Sequence, residues 1–230
     1  MIDLIESSTF ANFKIVTHYR DCAVSQWLFK RLGLEERIVQ KPINADDGFV
    51  ISTGMAFFPH FEPCLHAFGL FPRFTLLPIQ KRLGVLDGTH QDLIVYLSRN
   101  NNRSVADESN LLTVVKQFVE SAGYEFYIFH ASGNFDHDLE VMKRAKVILG
   151  PHGGAFANIA FAQPGTHVVE FLPIYKSFAE SEGNARRNFW GLSQAAGLDY
   201  WALDPEWFDF DKPGMVVDVA KVIDLLRKIL

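Results

Sequence analysis

The chain has 230 residues, of which 48% are hydrophobic and 21% charged, with a net charge of −5. That composition describes a globular protein with a real core and excludes a disordered or fibrous chain. The acidic balance argues against nucleic acid as a partner, and no apolar stretch approaches the roughly 20 residues that span a bilayer.

The N-terminus M-I-D-L-I-E-S-S-T has neither a basic n-region nor an apolar h-region. The expected location is cytoplasmic, or the Golgi or ER lumen where an N-terminal segment precedes this sequence. Phe13 to Thr17 reads as a strand. Asp21 is an N-cap candidate, and Val24, Trp27, Leu28 and Leu32 form a helical stripe stopped by Gly33. Arg37–Gln40 and Gly48–Ser52 are short strand candidates. A stretch rich in Phe, Pro and His follows, in which prolines at 59, 63 and 72 exclude one long helix. Pro72 to Leu83 reads as an amphipathic helix with proline in its first turn. His60 and His66 lack a nearby Cys or carboxylate pair and read as packing residues rather than metal ligands. Cys22 and Cys64 show no metal-ligand spacing; they read as buried free thiols, or as a pair in an oxidising compartment.

From Gln91 the pattern becomes regular. Asp92–Leu97 is a continuous apolar strand, as in a buried parallel sheet. A polar loop, Ser98–Ser104, leads to a helix capped by Asp107 that carries Leu111, Leu112, Val115, Phe118 and Val119 and stops at Gly123. Tyr124–His130 is the next strand, Leu139–Ala145 lies on a short helix, and Lys146–Leu149 is a strand ended by Gly150. Pro151, His152, Gly153 and Gly154 make a tight turn into a small apolar helix, Ala155–Phe161. Thr166–Phe171 is the following strand, with Glu170 at its end. A helix over Asn188–Ala196, a strand over Tyr200–Leu203 and an amphipathic helix over Val216–Ile229 close the chain.

Strands alternating with helices predict an α/β fold with a doubly wound parallel sheet. Ligands of such sheets bind beyond the carboxyl ends of the strands. Arg99 and Arg103 follow one such end and suit a phosphate, which arginine clamps with paired hydrogen bonds. His152 and the N–H groups of Gly153 to Ala155 follow a second, where a helix start favours an anion. Glu170 marks a third, where a carboxylate could accept both hydroxyls of a ribose. Fixed donors of this kind could hold a phosphate without a metal. Two Asp-x-Asp pairs, Asp136-His-Asp138 and Asp209-Phe-Asp211, lie away from those ends and read as capping and turn residues, so no metal is expected. His152-Gly153-Gly154 also suits the oxyanion hole of a serine hydrolase. The elbow this requires is poorly matched, since Gly191-Leu-Ser193-Gln-Ala195 lacks the second glycine.

Taken together, Ser98-Arg99 with Arg103, then G-P-H-G-G-A-F-A-N at 150–158, P-G at 164–165 and V-V-E at 168–170 resemble the signature of glycosyltransferase family 61. F-W-G-L-S-Q-A-A-G-L-D-Y at 189–200 resembles the family's segment before its last strand. The resemblance covers about residues 90 to 205, with a looser match through W-L-F-K-R-L-G-L-E-E-R-I-V at 27–39. It implies a Rossmann-like, GT-B type enzyme with an incomplete or short N-terminal α/β half. Residues 1–90 would be the acceptor-side part and 91–230 the nucleotide-sugar-binding domain. It implies transfer with inversion from a nucleotide sugar, such as a UDP-sugar, to a glycan or glycoprotein, and no further cofactor. The alternative is a non-catalytic relative that binds a nucleotide sugar or glycan. Ser98, Arg99, Arg103, His152, Gly153, Gly154, Ala155, Asn158 and Glu170 are the binding residues the motif supplies. The family usually has alanine or another small residue where Gly154 stands. Its upstream segment, an Asn and a His beside aromatics, has no counterpart before Phe13, and the catalytic base is unassigned.

Overall fold

A computed structural model of the chain describes residues 14–16, 23–39, 73–100, 104–172, 188–205 and 214–230. The N-terminal part is a small parallel unit in which β1 (Ile15–Val16) and β2 (Ile38–Val39) pair, joined through helix α1 (Ala23–Arg31). Gly33, at φ +66, takes the chain out of the helix. Leu32 and Leu34 then pack with Leu28, Ile38 and Ile79, the last of these from helix α2 (Arg73–Arg82).

The main body is a five-stranded sheet built from β3 (Leu93–Leu97), β4 (Glu125–Phe129), β5 (Ala145–Pro151), β6 (His167–Phe171) and β7 (Asp199–Leu203). All its pairings are parallel and the order is β4-β3-β5-β6-β7. The chain thus winds outward in both directions from β3, and the direction reverses between β3 and β5. Helix α3 (Glu108–Ser121) and the closing helix α6 (Val219–Ile229) cover one face, over Ile94, Tyr96, Val147, Leu149, Val169 and Phe171. Helix α4 (Phe135–Arg144), a 3-10 helix (Gly154–Phe161) and helix α5 (Asn188–Ala196) cover the other, over Leu93, Val95, Leu97, Ile148 and Val168. Crossovers that step toward opposite edges must lie on opposite faces if each is right-handed, which is why the sheet is covered on both sides. All five residues of β3 are buried, as the unbroken apolar run requires.

The helix starts are capped as their sequences specify. Asp107 accepts from the Asn110 N–H at 3.3 Å, Asn134 from His137 at 3.3 Å, and Asp218 from Ala220 at 3.0 Å. At the amino end of the sheet, Arg144 joins Asp92 (3.0 and 2.9 Å) to Glu125 (2.8 Å). The hydrogen bond from the Arg144 guanidinium holds the Asp92 carboxyl below its usual range.

Three elements differ from the sequence expectation, one of them the closing helix, which begins at Val219 behind its Asp218 cap rather than at Val216. Helix α4 begins at Phe135, four residues before Leu139, because the Asn134 cap opens it. Strand β5 does not stop at Gly150 but runs on through Pro151, pairing Gly150 with Glu170 and Pro151 with Phe171. Pro151 is tolerated because it ends β5, two residues past the last pairing with β3 at Leu149. The strand candidate Gly48–Ser52, the Asp21 cap, Cys22, Cys64, His60 and His66 lie outside the described residues. No helix among the described residues is long and apolar enough to cross a membrane.

Candidate functional site

The order of the sheet places its crevice between the carboxyl ends of β3 and β5, where a ligand is expected in this topology. Each strand end delivers part of the site. Beyond β3, the Ser98 hydroxyl donates to Glu108 at 3.2 Å, and the Tyr96 hydroxyl donates to the same carboxylate at 2.9 Å. This ties the loop to the start of α3. Burial, and then the Glu108 charge, pushes the Tyr96 phenol far above its ordinary range. Arg99 crosses the crevice and donates from Nη1 to the His152 carbonyl at 3.2 Å.

Two glycines make that crossing possible. A Cβ on Gly153 would lie 1.8 Å from the Arg99 Nη1, so the guanidinium occupies the space a side chain would need. A Cβ on Gly150 would lie 2.7 Å from the Leu97 carbonyl oxygen, a backbone atom that cannot step aside, and Gly150 has φ +154. Here glycine lets the two strand ends approach closely. Gly154 is different: it is exposed, and a methyl group there would meet nothing within 4 Å. The alanine usual in the family would fit at that position.

Behind the turn lies a buried polar chain. His152 directly follows β5 on the same face as Ile148, and Glu170 shares that face from β6. The His152 ring nitrogen Nδ1 bonds Glu170 Oε1, and the Tyr200 hydroxyl donates to Glu170 Oε2 at 2.5 Å. Tyr200 comes from β7, where it pairs with Val168, one pleat repeat before Glu170. His152 is 5% exposed and Glu170 0%. Burial, and then the Glu170 charge, pushes the Tyr200 phenol far above its usual value. Phe189, at the start of α5, covers the His152 ring with centroids 5.4 Å apart and packs on Phe156 at 5.3 Å.

The 3-10 helix begins at Gly154, and its first internal bond runs from the Phe156 N–H to the Gly153 carbonyl at 3.0 Å. The N–H groups of its first turn precede that ladder and point out of the helix start. The Asn158 amide donates to the Ala155 carbonyl at 2.9 Å, so it braces the same short helix.

Of the residues singled out in the sequence, Ser98, Arg99, His152, Gly153, Gly154 and Ala155 meet around the crevice. Asn158 lies one turn behind them. Glu170 is not at an open strand end: it sits inside β6 with both oxygens bonded to protein groups, so the direct ribose contact expected of it is taken by His152 and Tyr200. Arg103 lies outside the described residues, as does Asp209-Phe-Asp211. Asp136 accepts from the Trp27 indole at 3.0 Å and pairs with Arg31 at 3.1 Å, fastening α1 to α4. Asp138 is 6% exposed and accepts from Ser132 at 3.0 Å. Ser193 is fully buried in the middle of α5, far from the strand-to-helix elbow a hydrolase nucleophile needs. Sequence reasoning did not single out Tyr200 or Phe189. The signal that could have found Tyr200 was its phenol, a polar tip on a core-facing strand position that requires a buried partner.

A family model described as Glycosyltransferase 61 matches residues 15–169, more than half of the chain. The match takes in Ser98, Arg99 and the whole turn from Gly150 to Asn158, reaches back to β1, and ends one residue before Glu170. No curated protein matches the chain.

Proposed function

Because the chain belongs to glycosyltransferase family 61, we propose that it moves a sugar from a UDP-sugar to a glycan or glycoprotein acceptor, with inversion. In this reading the donor's diphosphate lies in the crevice between β3 and β5. Arg99 and the N–H groups of Gly153, Gly154 and Ala155 hold its oxygens, with Arg103, four residues after Arg99 in the sequence, as a further donor. The bond from the anomeric carbon to the β-phosphate oxygen breaks as an acceptor hydroxyl attacks from the opposite side and gives its proton to a general base, for which no residue is assigned. The electron pair passes to the phosphate, where Arg99 and the turn stabilise the new charge without a metal. Residues 1–90 form the acceptor side.

The observation that carries this reading is the seat of Arg99. A guanidinium held over Gly153, at the reversal point of the sheet and beside a helix start, supports a phosphate as the ligand. Titration calorimetry with UDP, GDP and uridine tests it. UDP is expected to bind more tightly than uridine and to raise the melting temperature by mass action. Absence of binding by any nucleoside diphosphate at millimolar concentration overturns it. Binding without turnover of any UDP-sugar identifies the chain as a non-catalytic relative.

A further inference from the structure

We propose that Tyr200 is a positioning residue of this site: through Glu170 it fixes the His152 imidazole so that Nδ1 is turned into the fold and Nε2 is left to accept a hydrogen bond from a hydroxyl of the ligand. The proposal rests on the donor-site reading above only for the identity of that hydroxyl, which would belong to the ribose of a nucleoside diphosphate.

The argument starts from the donors around one carboxylate. Glu170 is fully buried, and its Oε2 accepts from the Tyr200 hydroxyl. An ionised carboxylate only accepts, so a ring nitrogen facing Oε1 must carry its hydrogen. That nitrogen is Nδ1 of His152. A histidine in water prefers the hydrogen on Nε2 when neutral, so this arrangement imposes the less common tautomer. With Nδ1 committed, the ring presents Nε2 as its remaining polar atom, and among the described residues no hydrogen bond to it is found. Phe189 against the ring prevents rotation that would exchange the two nitrogens.

Tyr200 completes this arrangement. Its hydroxyl occupies the second oxygen of Glu170 and so fixes the plane of the carboxylate, which in turn fixes the plane of the imidazole. Without it a buried oxygen is left unpaired and the carboxylate is free to turn. The same logic orients the histidine of a hydrolase triad through its carboxylate partner. The main-chain carbonyl of the same residue is held by Arg99, so His152 is fixed from both ends: its backbone by β3 and its ring by β6 and β7.

The test uses the full chain with ¹⁵N-labelled histidine. Long-range proton–nitrogen correlation reads which ring nitrogen of His152 carries a proton, with His152→Gln used to assign the signal. In the wild-type protein Nδ1 is expected to be protonated; a bare Nδ1 overturns the proposal without need of any variant. Tyr200→Phe keeps the ring that packs in the core and removes only the hydroxyl. It is expected to shift the His152 signals toward the Nε2–H form. It should also weaken UDP and uridine alike, by roughly three- to tenfold, because both carry the ribose hydroxyls. Unchanged His152 signals and unchanged affinities for UDP and uridine in Tyr200→Phe overturn the positioning role. The spectroscopic arm needs no nucleotide. Wild-type protein with a protonated Nδ1 that binds no nucleoside diphosphate therefore supports the positioning of His152 and overturns only the donor-site reading.

Discussion

Arg99 donates from Nη1 to the main-chain carbonyl of His152, which lies 53 residues further along the sequence and 3.2 Å away. The bond spans the point where the sheet changes direction, and it couples the two strand ends that frame the crevice. Arg99→Ala removes a fixed charge together with this tie. A charge-assisted contact is worth about 1.5–3 kcal/mol, so UDP affinity is expected to fall roughly ten- to a hundredfold. Uridine, lacking the diphosphate, should lose much less. Calorimetry of both ligands checks this, and equal losses would mean that Arg99 does not face the phosphates.

The two neighbouring glycines should respond in opposite ways. Gly153→Ala would put a methyl 1.8 Å from the Arg99 Nη1 and push the guanidinium out of its seat. It is expected to reproduce the Arg99→Ala effect on UDP. Gly154→Ala enters open space and should leave both affinity and melting temperature within experimental error. A Gly153→Ala protein with wild-type UDP affinity would show that Arg99 does not need that seat.

Glu170→Ala leaves the Tyr200 hydroxyl and the His152 ring without their common acceptor in a site closed to water. Breaking such a buried pair is expected to cost about 3 kcal/mol, read as a lower midpoint in urea unfolding. A cost within a few tenths of a kcal/mol would mean that the three groups are not coupled in solution.

Stability should also fall at alkaline pH. Tyr96 and Tyr200 have phenols raised above the ordinary value of 10.0 by burial and by Glu108 and Glu170. The unfolded chain therefore releases their protons first, and stability present below about pH 10 is lost as pH rises beyond it. Ultraviolet titration should find Tyr96 and Tyr200 unionised until the fold opens. Replacing both with Phe should flatten the alkaline limb of the stability curve. An unchanged limb would place both hydroxyls in water.

Transfer activity is expected to survive EDTA if, as proposed, Arg99 and the Gly153–Ala155 turn carry the charge that a divalent ion supplies elsewhere. Asp136→Asn should weaken the contact of α1 with α4 by no more than about 1 kcal/mol, as exposed ion pairs do, and leave UDP binding intact. Loss of activity in EDTA with recovery in manganese would reassign one of the Asp-x-Asp pairs to a metal.

The parallel sheet was legible because β3 is a continuous apolar run and Val147–Leu149 of β5 is another, stopped by Gly150, a pattern set by local chemistry alone. Asp107 and Gly123 likewise mark the limits of α3 in the sequence itself. The position of Arg99 near the turn was legible at the level of strand ends, since topology brings carboxyl ends together. Its seat over Gly153 was not, because that depends on the register of β3 against β5. The role of Glu170 was hidden for a related reason. Its position in sequence shows a strand end, but whether a carboxylate there faces water depends on where the neighbouring strand stops. Here β5 continues through Pro151, and β7 brings Tyr200 alongside. Tyr200 belongs to a segment 30 residues away whose pairing no local pattern specifies.

Because β7 is one of the two edge strands of the sheet among the described residues, the support of His152 is anchored at a margin rather than at the centre. Edge strands open by local fluctuations that cost less than unfolding the whole molecule. Amide hydrogen exchange along 199–203 would therefore report the lifetime of the His152 arrangement, separately from the lifetime of the fold. Anything that adds a sixth strand at that margin, or lies across it, would lengthen that lifetime without touching the crevice.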